Sequence, residues 1–188
     1  MQPKGTLAPE WSVTQWFNTH QPLNLADFRG KVVVLHAFQM LCPGCVVHGL
    51  PQTQKIRNLF DANDVAVIGL HTVFEHHEVM TPQTLEAFIY EYRYTFPIGI
   101  DQPDEQLSLP LTMRAYGMQG TPSLIIIDHK GYLRKHSFGR DDDMQIGADI
   151  AALISEAKAG RVEIEPAATE EREVDSGDCD QGQCQRPL

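Results

Sequence analysis

Hydrophobic and polar positions alternate between two periods along this chain. Lys31 to Phe38 is a near-continuous β-branched run, the pattern of a strand covered on both faces, and it predicts a central strand. From Cys45 onward, Val46, Leu50, Ile56, Leu59 and Phe60 fall on one face of a helix, with Pro51 expected to kink it. Asp64 to His71 returns to strand. Thr81-Pro82 then signals a helix start ahead of Leu85, Phe88, Ile89 and Tyr92. Phe96 to Asp101 predicts a short strand, and residues 123–128 and 132–138 predict a hairpin turning at His129-Lys130-Gly131. A last apolar stripe, Ile146, Ile150, Leu153, Ile154 and Ala157, is expected to stop at Gly160. Strands alternating with helices make an α/β layered domain with a mixed sheet.

Residues 161–188 break this pattern. They hold no aromatic residue and set eight acids against three arginines, so a packed core is not expected there. The chain therefore reads as one domain over residues 1–160 followed by a flexible acidic tail. The net charge of −10 speaks against nucleic acid and anionic membrane as partners, because both demand clustered Lys and Arg. Apolar runs such as Leu124 to Ile127 are too short to cross a bilayer. Met1 to Thr6 lacks the charged start and apolar run of a secretory leader, so a cytoplasmic setting is expected, with a periplasmic one as the alternative.

The four cysteines form two close pairs, Cys42/Cys45 and Cys179/Cys184, too few to staple a chain of this size. Cys42 falls where a strand feeds a helix, and the unpaired N–H groups and dipole of a helix start favour the thiolate that exchanges with disulfides. Pro43 suits a first helical turn, and two intervening residues, Pro43 and Gly44, keep Cys45 within reach of the same sulfur. The expected chemistry is attack by Cys42 on a substrate disulfide and resolution by Cys45. It needs neither metal nor organic cofactor.

Asp27 to Leu35, the Cys42-Pro43-Gly44-Cys45 segment, Pro51, Thr95 to Asp101, Tyr116 to Ser123 and Ile127 to Gly131 together resemble the redoxin branch of thioredoxin-like proteins, in particular TlpA/ResA-like disulfide reductases, over residues 7 to 157. The resemblance implies a three-layer sandwich with an N-terminal β-hairpin extension. It makes Thr121-Pro122 a cis-proline loop that lies against the cysteines and, with Pro43 and Gly44, contacts substrate. It implies a disulfide-containing protein or small thiol as substrate and an upstream thiol reductant, with a monomer favoured. His36 stands where thioredoxins carry a buried acid, and His48 where many TlpA-like proteins carry Glu; either histidine could take the proton of the resolving cysteine.

Two other uses of the site stay open. The cysteines could serve a redox sensor or carrier. A peroxiredoxin-like peroxidase is the other reading, although the Pro-x-x-x-Thr/Ser-x-x-Cys pattern of those enzymes meets Phe38 and Cys42 counted from Cys45, and Leu35 and Gln39 counted from Cys42. His71, Glu75, His76, His77 and Glu78 crowd one predicted loop, but their spacing matches no compact metal motif and a solvated loop is expected. Cys179 and Cys184 form a candidate secondary redox pair.

Overall fold

The computed structural model describes residues 5–162. Six strands, β1 (Val13–Phe17), β2 (Val32–Phe38), β3 (Val65–His71), β4 (Ile98–Asp101), β5 (Ser123–Ile127) and β6 (Leu133–Phe138), form one sheet in the order β1-β4-β3-β2-β5-β6. The β2–β3 and β3–β4 pairs are parallel, and the β2–β5, β5–β6 and β1–β4 pairs are antiparallel. Helices α1 (Leu50–Leu59), α2 (Pro82–Tyr92) and α4 (Asp143–Val162) cover one face, and the short α3 (Leu111–Ala115) covers the other with the N-terminal segment. All seven residues of β2 are buried because each face meets a layer: Val32, Val34 and Phe38 join Leu50, Leu85 and Ile150, while Val33, Leu35 and Ala37 join Leu25, Met113 and Tyr116. Among the described residues, no helix is long and apolar enough to cross a membrane.

The structure departs from expectation at four points. Among the described residues, in place of an N-terminal hairpin there is a single strand, β1, paired with β4, plus one isolated bridge from Leu7 to Tyr132. Gly99 makes room for it, since a β-carbon there would stand 2.9 Å from Val13 Cγ1. Asn18 ends the strand in the left-handed region and donates from its amide to the carbonyls of Tyr94 and Phe96. Secondly, α3 has no periodic signal of its own. It is held by buried Asp101, whose carboxylate accepts the N–H groups of Thr112 and Met113 and the hydroxyl of Thr72. Thirdly, α4 passes through Gly160 to Val162, a glycine in a helix costing only about 1 kcal/mol. Finally, the irregularity assigned to Pro51 lies one turn earlier. Cys45–Gly49 is a π turn, closed by the Leu50 N–H on the Cys45 carbonyl, and Pro51 sits in the first turn of α1, where its missing N–H costs nothing.

Candidate active site

The cysteine pair lies just beyond the C-terminal end of β2, where the chain turns into the π turn and α1. Gln39 directs that turn: its carbonyl accepts the Cys42 N–H at 3.2 Å, and its side chain, itself buried, accepts from Phe74 N–H and donates to Glu75. Cys42 and Cys45 are both free thiols. The Cys45 N–H points at Cys42 Sγ, 3.2 Å away, and the Cys42 thiol donates to the Thr121 carbonyl at 3.4 Å. Cys42 is half-buried and Cys45 is 0% exposed, so one sulfur alone meets solvent. Burial, reinforced by the neighbouring Cys42, pushes the Cys45 thiol up to about 12.

The Thr121–Pro122 bond is cis, as expected. Pro122 packs close to the cysteine turn, its Cδ 3.2 Å from the position a β-carbon on Gly44 would take. Pro43 is exposed beside it, and so are Leu41 and Val47. Phe138, 55% exposed at the end of β6, lays its ring over Gly120 at the entrance of the same loop. The structure therefore brings together Cys42, Pro43, Gly44, Cys45, Thr121 and Pro122.

The two histidines separate. His36, in the middle of β2, is 1% exposed, and neither ring nitrogen has a hydrogen-bond partner. Its ring lies against Gly49 in the π turn, and burial holds its pKa down at about 4. His48 is exposed on the outer side of that turn. It borders a small cavity of about 80 Å³ shared with Lys55, Arg140 and Asp143. His71 closes β3 and is buried against Phe38, with ring centroids 5.3 Å apart, whereas Glu75, His76, His77 and Glu78 are exposed on the loop beyond. Among the described residues, no three His, Cys, Asp or Glu side chains converge as a metal would require. Cys179 and Cys184 lie outside the described residues.

Sequence reasoning missed Gln39 and Gly49. A polar residue directly after a strand gives no signal of its own. A glycine inside a helical period is at least an anomaly.

Fold and site together place the chain among thioredoxin-like proteins, with a Cys-x-x-Cys turn facing a cis-proline loop. The chain belongs to the AhpC/TSA family, whose profile matches residues 5–136. The crystal structure of a thioredoxin-like superfamily protein is 57% identical, with a TM-score of 0.77 over 79% of this chain and 96% of that one. A thiol-disulfide isomerase from Corynebacterium glutamicum is 49% identical, with a TM-score of 0.75 over 79% of this chain and 97% of its own. The thiol-disulfide oxidoreductase ResA of Geobacillus thermodenitrificans is 26% identical over 132 residues, 70% of this chain and 67% of that protein. The chain spans about a quarter or less of the first curated relatives it matches, 23% of one and 16% of another.

Proposed function

We propose that this protein exchanges or reduces disulfides in a polypeptide partner, with Cys42 as nucleophile and Cys45 as resolving thiol. The observation that carries this reading is the unequal exposure of two sulfurs joined through one backbone N–H. Cys42 Sγ is reachable and is stabilised by the Cys45 N–H, whereas Cys45 is buried and stays protonated until it is called on. Attack of the Cys42 thiolate on a substrate disulfide makes a mixed disulfide and releases one substrate thiol. Cys45 then loses its proton and attacks Cys42 Sγ, releasing the second substrate thiol and leaving Cys42–Cys45 oxidised. An upstream thiol reductant resets the pair.

The proton of Cys45 needs an acceptor where water is scarce. His36, buried against the same turn with unpartnered nitrogens, is the group we assign to relay that proton onward and not to hold it, because burial disfavours its charged form. His48, on the solvent side, passes protons to water. Thr121 offers backbone and Pro122 a packing surface to the incoming chain, with Pro43 and Gly44 opposite. A polypeptide suits this rim better than a small thiol, because Leu41 beside Cys42 in the chain and Phe138 over Gly120 at the cis-proline loop are apolar and exposed. Peroxide reduction lacks its usual support here, since the Pro-x-x-x-Thr/Ser-x-x-Cys pattern is met in neither register, counted from Cys45 or from Cys42.

An insulin-type reduction assay tests the reading. Cys42→Ser should abolish turnover, and Cys45→Ser should accumulate a mixed disulfide with substrate. Turnover retained by Cys42→Ser would overturn it, and absence of turnover together with a redox-dependent complex would favour a sensor.

A further inference from the structure

Gln39 is a polar residue in a place that packing reserves for apolar ones. It follows β2 between Phe38 and Met40 and is 1% exposed, and a buried amide costs free energy unless both its ends are bonded. Both are. Oε1 accepts the Phe74 N–H at 3.3 Å and Nε2 donates to the Glu75 carboxylate at 3.4 Å, so the side chain grips the loop that leaves β3. The root of that loop is itself fixed: the Thr72 N–H donates to the Phe38 carbonyl at 3.1 Å, and the Thr72 hydroxyl to buried Asp101 at 2.9 Å.

The main chain of the same residue faces the cysteines. The Gln39 carbonyl accepts the Cys42 N–H at 3.2 Å, closing a turn through Met40 and Leu41. Burial drives the Cys45 thiol up, and a hydrogen bond with the Gln39 backbone acts against that push. Side chains within the turn hold it less firmly, since Leu41 is 57% exposed and Met40 ends in a flexible thioether. The direction in which Cys42 Sγ meets the Cys45 N–H, 3.2 Å away, therefore depends on how firmly Gln39 is held.

Resting on the assignment of Cys42 as nucleophile, we propose that Gln39 is a positioning residue for it: the side chain clamps the cysteine turn to the β3–α2 loop, and the clamp keeps the Cys45 N–H aimed at the Cys42 sulfur. The thiolate carries the reaction, and a fixed N–H donor favours the thiolate. With the clamp open the donor drifts, and less of Cys42 is ionised at neutral pH. Glu75 serves this arrangement as an acceptor and not as a charge.

Gln39→Met keeps the bulk of the side chain and removes both of its hydrogen bonds. Labelling of Cys42 by iodoacetamide, read by peptide mapping, should slow about tenfold at pH 7, and the deficit should close as the pH rises toward about 10, where the thiol ionises unaided. An unchanged rate, or a deficit equal at every pH, overturns the clamp. Glu75 is exposed, so its variants leave the core intact and decide the matter even where Gln39→Met does not fold. Glu75→Ala should slow labelling about threefold with the same pH dependence, and Glu75→Gln, which keeps an acceptor for Nε2, should restore the parent rate. Parent rates in Glu75→Ala, or equal slowing in both variants, overturn the proposal. In insulin reduction, Gln39→Met should lose about tenfold in kcat with KM unchanged. Absence of insulin reduction by the unsubstituted protein would sink the disulfide reading, while the labelling rates would still decide the clamp.

Discussion

The imidazole of His36 occupies the space that a side chain on Gly49 would need: a β-carbon at Gly49 would stand 2.4 Å from Nε2 and 3.1 Å from Pro122 Cβ. Strand β2, the π turn and the cis-proline loop thus meet at one residue that has no side chain. Gly49→Ala should cost about 1–3 kcal/mol through overpacking. His36→Ala should relieve part of that cost, so a double-mutant cycle in urea should show coupling above about 0.5 kcal/mol. Additive effects would mean that the two residues do not share this space.

Acid should weaken the fold before its carboxylates titrate. Burial holds both His36 and His71 down at about 4, against about 6.5 when unfolded. As pH falls, the unfolded chain takes up these protons first, so stability is full above pH 6.5 and declines steadily toward pH 4. Each histidine accounts for roughly 2–3 kcal/mol by pH 4.5. His136, partly buried and shifted the same way, adds a smaller slope. Urea titrations at pH 7.5 and 4.5 measure the difference, and His71→Phe should flatten the slope. An equal slope in that variant would contradict the assignment.

Alkylation should divide the cysteine pair. With its thiol pushed up to about 12, Cys45 carries roughly one thiolate in ten thousand at pH 8, and it is covered as well. Iodoacetamide followed by peptide mapping should label Cys42 and leave Cys45 unmodified until the protein is denatured. Comparable labelling of both in the native protein would remove the asymmetry on which the order of attack depends.

Asp101 should matter to stability more than its place near the sheet edge suggests. It is buried, and desolvation raises its pKa, yet its oxygens accept from Thr72, Thr112 and Met113, linking the end of β3, β4 and α3. Asp101→Ala leaves three buried donors unanswered and should cost about 2–4 kcal/mol by thermal or urea unfolding. Asp101→Asn should also destabilise, because its amide would turn a donor toward a donor. A Tm within a degree of the parent would contradict this account.

Much of the architecture was legible because burial writes a period into the chain. The unbroken apolar run of β2, the Thr81-Pro82 start of α2 and the Gly131 turn between β5 and β6 each carry a local physical signal, and each element stands where that signal pointed. Cys42, Cys45 and the cis Thr121–Pro122 bond were legible as a combination. What escaped notice depends on distant partners. β1 is defined by β4, more than eighty residues later, and α3 by hydrogen bonds to a buried aspartate. The histidines illustrate the same limit: the family resemblance flagged His36 and His48 alike, and packing buried one and exposed the other.

The π turn over Cys45–Gly49 makes the chain's length, as well as its composition, a determinant of the site. One residue more or less in a helix rotates everything before it by about 100° relative to everything after. Removing a single residue between Val46 and Gly49 would regularise the helix and leave α1 seated in its core through Leu50 and Ile56. The same deletion would swing Cys42 and Cys45 around the axis, away from Thr121 and Pro122. The fold could tolerate that change in phase, but the aim of the two sulfurs could not.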